Sequence, residues 1–161
     1  MAPLPARVHS ANRQAKRAPI RVTAIERALD TRFTVDTLQA LAHRYQKVDF
    51  VWMMGSDNLA QFHRWKQWRK IAQLMPIATI ARPGYDRAAR TSPAMSLLRR
   101  YLVPPTLFRA SRRLHAPALV MLRFDPDPRS ATAIRESEPD WHLQYAGIPP
   151  RDQVTHRLVD G

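Results

Sequence analysis

Two side chains of opposite charge follow two buried strands that the sequence predicts. Asp57 comes after the apolar run 48–54, and Arg82 comes after the apolar run 77–81. Ligands of parallel α/β sheets bind beyond the carboxyl ends of the strands, so both residues are candidates for a binding site. A carboxylate there accepts hydrogen bonds from hydroxyl groups, although a helix cap is the more ordinary role for Asp57. The absence of cysteine excludes thiol nucleophiles and thiolate metal sites.

The elements that position these residues are predicted from hydrophobic spacing. Short apolar or alternating runs predict four strands, at 20–25, 48–54, 77–81 and 118–122. Apolar residues at helical spacing predict helices over 4–16, 34–45 and 65–75, with Thr34 as the cap of the second. Because the run 48–54 is apolar at almost every position, it is expected to be the central strand. The order predicts an α/β fold with a doubly wound parallel sheet.

The remaining segments are less regular. Residues 88–116 are basic and contain three prolines, which predicts short helices mixed with loop. A turn is expected at 125–128 and a short helix from about Thr132. From Glu136 onward the chain becomes acidic and contains prolines, as is typical of a loose tail. We therefore expect an α/β domain over 1–136 and a tail over 137–161.

Charge and hydropathy limit the partners. The 161 residues have a formal net charge of +13, and residues 61–135 alone hold 15 basic and 3 acidic residues. This excess is compatible with an anionic partner, but composition alone slightly favours a highly charged solvated surface over nucleic-acid binding. No apolar run has the length needed to cross a bilayer, so a cytoplasmic protein without a membrane partner is expected.

The positions of glycine and histidine exclude two kinds of site. The four glycines, at positions 55, 84, 147 and 161, are too far apart for a Walker loop or a dinucleotide fingerprint. The histidines show no metal-ligand spacing with a neighbouring histidine or carboxylate, so no protein-bound metal is predicted.

Four short blocks, in order and at characteristic spacing, resemble bacterial nicotinate mononucleotide adenylyltransferases. They are Phe33-Thr34-Val35-Asp36-Thr37-Leu38, Gly55-Ser56-Asp57-Asn58-Leu59, Phe62-His63-Arg64-Trp65 and Arg82-Pro83-Gly84. The similarity extends over about residues 2–135. It implies a Rossmann-like nucleotidyltransferase fold and a role in NAD biosynthesis.

The resemblance also implies a reaction. Nicotinate mononucleotide attacks the α-phosphorus of ATP, giving nicotinate adenine dinucleotide and pyrophosphate, with Mg²⁺ accompanying ATP. No covalent enzyme intermediate is needed, since positioning and electrostatic stabilisation carry such a transfer. ATP and nicotinate mononucleotide are thus the expected partners, and nucleic acid is not.

The matched positions suggest a substrate site. Trp65, eight residues after Asp57, matches the family tryptophan that stacks on the pyridine ring. Asp57 matches an aspartate near the ribose, and Thr34 and Thr37 match polar positions of the mononucleotide-binding segment. Arg82 opens the last matched block and is added to this set. Without the resemblance, the spacing of Trp65 would favour a core tryptophan.

A C-terminal segment matches the family's ATP-binding motif with one departure. Ser130-Ala131-Thr132-Ala133-Ile134-Arg135 resembles Ser-Ser-Thr-x-Ile-Arg, which implies that Ser130, Thr132 and Arg135 bind ATP phosphates at a helix start. Ala131 removes one hydroxyl from that motif.

The front of the family pattern is not found in these 161 residues. The family begins with a strand and a loop of the form Gly-Gly-[Ser/Thr]-Phe-x-Pro-x-His-x-Gly-His, whereas the first histidine here is His9 in a basic helix. The catalytic residues are therefore unknown, the first strand and helix are expected to be missing, and slow turnover is predicted. An edge left open by the missing strand also predicts self-association into a homo-oligomer. The alternative hypothesis is a non-catalytic basic module that binds nucleic acid or another polyanion.

Overall fold

The computed structural model describes residues 2–110, 114–124, 136–147 and 149–160. The chain divides into two compact units, Met1–Asp30 with Asp127–Gly161, and Thr31–Pro126. The second unit contains the sheet and most of the core.

The sheet of the Thr31–Pro126 unit has three parallel strands. They are β1 (Trp52–Gly55), β2 (Ile77–Ile80) and β3 (Leu119–Leu122), in that order across the sheet. The register places Met53 opposite Ala78, and Ala78 opposite Val120. Parallel neighbours require a crossover, and helices connect both pairs. The predicted α/β fold with a parallel sheet is confirmed.

Short helices surround this sheet. They are α3 (Thr34–Arg44), α4 (Ser56–Gln61), α5 (Trp68–Leu74), α6 (Asp86–Arg90), α7 (Pro93–Leu98) and α8 (Pro105–Ala110), with 3-10 turns at Phe62–Arg64 and Arg99–Tyr101. Fully buried side chains from five of these segments and two strands form the core: Val35, Leu38, Leu59, Phe62, Ile71, Ile77, Leu98 and Leu119. The predicted mixture of short helices and loop over 88–116 is confirmed for the residues described there.

The run 48–54 is not the central strand. β2 pairs with both β1 and β3, so β1 lies at the edge of the described sheet. Of the run 48–54, only the residues from Trp52 onward belong to the strand. Met53 is 56% exposed and Val48 is 51% exposed. The prediction equated an apolar run with burial on both faces, but here several of those side chains face away from the core.

The predicted cap of one helix and the predicted start of another are also wrong. Phe33, not Thr34, is the cap of α3, because its extended backbone makes Thr34 the first helical residue. The Phe33 carbonyl accepts hydrogen bonds from the amides of Asp36 and Thr37. The helix expected from Trp65 begins only at Trp68, since Trp65 is extended and Gln67 has a φ of 49°.

The other unit contains α1 (Leu4–Ala15), α2 (Ile25–Ala28) and a 3-10 turn at Leu143–Tyr145. The helix predicted over 4–16 is therefore confirmed, and His9 stacks on Tyr145 with ring centroids 5.5 Å apart. The predicted strand 20–25 is wrong. Its backbone groups bind side chains instead: the Val22 amide donates to Gln153, and the Ala24 amide donates to Asp152.

Asp152 is the most heavily hydrogen-bonded carboxylate of this unit. Its side chain is buried, and it accepts bonds from the Thr23 hydroxyl and from the amides of Ala24, Val154 and Thr155. Burial raises the pKa of Asp152, but the bonds from Thr155, Ala24, Val154 and Thr23 outweigh it and lower the pKa to about 2. Residues of the expected tail thus make specific contacts with residues 22–24; the boundary at 136 stays a prediction.

No helix among the described residues is long and apolar enough to span a bilayer.

Candidate functional site

Asp57 and Arg82 meet at the carboxyl ends of β1 and β2. β1 passes directly into α4, so Asp57 is the second residue of that helix. The Arg82 amide donates to the buried Ser56 hydroxyl at 2.8 Å, which fixes the start of the loop after β2. From there the Arg82 guanidinium donates to Oδ2 of Asp57 at 3.2 Å. The helix-cap role considered for Asp57 is not observed, because Gly55 holds the cap position.

Gly55 makes this ion pair sterically possible. A Cβ atom at position 55 would overlap Oδ1 of Asp57 and lie 2.7 Å from Nε of Arg82. Oδ1 of Asp57 is itself buried without a hydrogen-bond partner among the described residues. A buried acceptor of this kind is costly unless it is satisfied, so it is well suited to a hydroxyl or amide donor of a ligand.

Trp65 lines a separate cleft of about 290 Å³ between the start of α3 and the chain before α5. Its indole packs edge-to-face on the buried Phe62 ring, with centroids 5.5 Å apart and planes at 75°. The ring is partly exposed and is held by Phe62. Thr34, the first residue of α3, also lines the cleft.

Three cationic side chains also line the cleft, namely Arg32, Arg64 and Lys66. Lys66 is held in place by Asp36, 3.2 Å from its Nζ atom, and by the Phe33 ring, whose centroid is 4.2 Å away. The lining contains no acidic side chain. An aromatic ring beside several cations is chemically suited to a flat anionic ligand. Sequence reasoning missed these residues, although Arg64 and Lys66 flank Trp65 in the chain.

Thr37 is less accessible than expected for a binding residue. It is 5% exposed, and its hydroxyl bonds to the Thr31 hydroxyl at 2.7 Å and to the Phe33 carbonyl at 3.3 Å. These contacts brace the first turn of α3, next to Thr34. Its role in binding stays a prediction.

The structure thus groups the candidate residues into two pairs. Asp57 contacts Arg82, and Thr34 shares a cleft with Trp65, whose lining includes neither Asp57 nor Arg82. The ATP-binding candidates Ser130, Thr132 and Arg135 lie outside the described residues.

The described residues offer no dedicated metal site. They contain no cluster of three histidine, aspartate or glutamate side chains able to hold an ion.

The parallel sheet, and a site at the carboxyl ends of its strands, are characteristic of nucleotide-binding α/β proteins. A family model described as cytidylyltransferase-like matches residues 6–137, and the chain belongs to this family. The prediction of a Rossmann-like nucleotidyltransferase fold is confirmed.

Curated relatives make the assignment more specific. A probable nicotinate-nucleotide adenylyltransferase of Erythrobacter litoralis is 59% identical over 161 residues, which is all of this chain and 74% of that protein. One of Cereibacter sphaeroides is 46% identical over 134 residues, covering 83% of this chain and 71% of that protein. The family resemblance of the sequence blocks is thereby confirmed.

A solved structure was also matched. The Plasmodium falciparum nicotinic acid mononucleotide adenylyltransferase complexed with APC aligns with a TM-score of 0.42 and 11% identity. The alignment covers 71% of this chain and 57% of that one.

Proposed function

We propose that this protein acts as a nicotinate-nucleotide adenylyltransferase, transferring AMP from ATP to nicotinate mononucleotide in NAD biosynthesis. The observation that carries the proposal is the 59% identity, along the whole chain, to a probable enzyme of that name. The two residue pairs support the proposal. The Thr34–Trp65 pair offers an aromatic ring in a cleft lined by cations, and the Asp57–Arg82 pair offers a carboxylate with a guanidinium.

The Trp65 cleft is the proposed site of the mononucleotide. The pyridine ring would stack on the indole of Trp65. The edge-to-face contact with Phe62 holds that indole in place. The cations Arg64 and Lys66 would offset the negative charge of the nicotinate carboxylate or of the phosphate. The Thr34 hydroxyl is a further hydrogen-bonding group in the lining of the cleft.

The Asp57–Arg82 pair is the proposed contact for sugar and phosphate. Oδ1 of Asp57 would accept a hydrogen bond from a ribose hydroxyl, which satisfies a buried acceptor. The Arg82 side chain is 60% exposed, so its remaining N–H groups can donate to phosphate oxygens. Ser130, Thr132 and Arg135 are proposed to contact the ATP phosphates as well.

The proposed chemistry is a direct displacement. A phosphate oxygen of nicotinate mononucleotide forms a bond to the α-phosphorus of ATP, the bond from that phosphorus to the bridging oxygen breaks, and pyrophosphate leaves. The protein contributes positioning and positive charge, and no residue becomes covalently modified. Mg²⁺ enters as part of the ATP substrate, and we derive no step from a protein-held metal.

Calorimetric titration with nicotinate mononucleotide tests the proposal. The parent protein should bind it, and Trp65→Ala should weaken the affinity about tenfold through loss of stacking and buried area. Trp141→Ala, in the other unit, is the matched control and should bind as the parent does. Equal affinities of the parent and Trp65→Ala would rule out the stacking site, and absence of binding to the parent would contradict the proposed function.

A further inference from the structure

A second basic cleft lies between α5 and α7, on residues that the proposed reaction does not use. We call it the α5–α7 cleft; its volume is about 490 Å³, within the range typical of small-molecule sites. Its polar lining comes from His63, Arg69, Ser96 and Arg100, and an apolar wall comes from Trp68 and Leu97. The lining contains no carboxylate.

Both arginines of the α5–α7 cleft are held by local contacts. The Arg69 guanidinium lies 4.7 Å from the centroid of the Trp68 ring. Nε of Arg100 donates to the Leu97 carbonyl at 3.2 Å, and its guanidinium lies 5.8 Å from the centroid of the Tyr101 ring. Neither arginine forms an ion pair with a carboxylate among the described residues. Partly ordered side chains lose less entropy when they bind a ligand, so the two cations are preorganised for an anion.

His63 provides an independent indication of a ligand. Its Nδ1 atom is buried and has no hydrogen-bond partner among the described residues. A buried polar nitrogen without a partner is unfavourable by itself, and such groups in native proteins are usually satisfied. His63 lines this cleft, and a rotation of its ring would let Nδ1 donate a hydrogen bond to an oxyanion there when that nitrogen carries the proton.

We propose that the α5–α7 cleft binds a small phosphate-class anion through Arg69, Arg100 and Nδ1 of His63. The composition of the lining suits such an anion, because guanidinium groups donate in pairs to phosphate oxygens and the imidazole adds a further donor. The Ser96 hydroxyl is a further donor at the rim. This site is distinct from the Trp65 cleft and does not depend on the proposed reaction.

Nuclear magnetic resonance of the ring nitrogens is the direct test, with inorganic phosphate and pyrophosphate as probes at constant ionic strength. We expect a saturable change in the Nδ1 resonance of His63, and no equivalent change when chloride replaces the probe. Arg100→Gln should weaken the apparent affinity about tenfold, because it removes a charged hydrogen-bond partner. Arg90→Gln, an exposed arginine outside the cleft, should leave the affinity unchanged.

Variants of His63 separate a specific donor from simple charge attraction. His63→Asn keeps a side-chain amide near the position of Nδ1 and should retain binding, whereas His63→Leu should lose it. Arg100→Gln changes an exposed side chain, so the test does not depend on whether His63→Leu folds. The proposal is overturned if chloride causes the same change, if Arg90→Gln weakens binding as much as Arg100→Gln, or if only a nucleic acid perturbs His63. Binding of adenosine monophosphate but of neither free anion would likewise overturn it.

Discussion

The guanidinium of Arg82 lies 3.2 Å from Oδ2 of Asp57, which joins the loop after β2 to the first turn of the helix after β1. The arginine is 60% exposed and the aspartate 23% exposed. Ion pairs with this much solvent contact contribute little to stability, about 0–1 kcal/mol. Stability of the fold therefore gives little reason for the pair, and its role in ligand binding stays a prediction that can be tested.

The first prediction separates binding from stability at this pair. Asp57→Asn and Arg82→Gln should each change the free energy of unfolding by less than about 1 kcal/mol. Each should weaken the affinity for nicotinate mononucleotide or for Mg²⁺-ATP about tenfold, because a charged hydrogen-bonding partner is lost. Calorimetric titration and urea unfolding measure the two quantities. Large destabilisation with unchanged affinities would assign the pair a structural role instead.

The second prediction concerns the space beside this pair. In Gly55→Ala the new Cβ would displace the carboxylate of Asp57 and the Arg82 side chain, so ligand affinity should fall although the backbone at position 55 suits alanine. Gly84→Ala is the matched control. Its φ of 83° should cost about 1 kcal/mol of stability, but it has open space around it and should bind normally. Equal binding by both variants would show that the Asp57–Arg82 geometry is not needed.

The sequence predicted β2 and β3 better than β1. β2 and β3 agree with the runs 77–81 and 118–122, because short apolar segments between turn residues are typical of covered parallel strands. The edge position of β1 depends on which strands pair, and hydrophobicity alone does not specify pairing. The run 20–25 alternates as a strand does, but its backbone binds Asp152 and Gln153, about 130 residues away.

The candidate site was predictable only in part. Motif spacing brought Asp57 and Arg82 into the same hypothesis, and the structure places them in contact. The spacing of the sequence did not reveal that Trp65 lies outside a helix. The left-handed backbone of Gln67, between Trp65 and Trp68, leaves no trace in the spacing of apolar residues. The cations around Trp65 come from two distant segments, so only the fold brings Arg32 to Arg64 and Lys66.

The third prediction tests the charge of the Trp65 cleft. Because three cations and no acid line it, nicotinate mononucleotide should bind more tightly than nicotinamide mononucleotide, which lacks the carboxylate charge. Arg64→Gln should reduce this preference by several fold, and Arg90→Gln, outside the cleft, should not. Competition calorimetry with the two mononucleotides gives the ratio. A preference for the amide, or one that is insensitive to Arg64, would contradict the assignment of the cleft to an anionic ligand.

The last prediction concerns the pH dependence of Asp152. Its pKa is lowered from 3.8 to about 2, so its carboxylate stabilises the folded state fully above pH 4 and loses that effect as the pH falls through about 2. Such a shift corresponds to about 2–3 kcal/mol at neutral pH. Asp152→Asn places an amide NH₂ against hydrogen-bond donors and should lower the free energy of unfolding by about 1–3 kcal/mol at pH 7. The difference between the parent and Asp152→Asn should shrink between pH 4 and pH 2, as measured by urea unfolding at several pH values.

Asp140→Asn, at an exposed position in the same unit, should differ little from the parent at any pH. A constant difference between the parent and Asp152→Asn across this pH range would show that the Asp152 carboxylate does not exert its effect through ionisation.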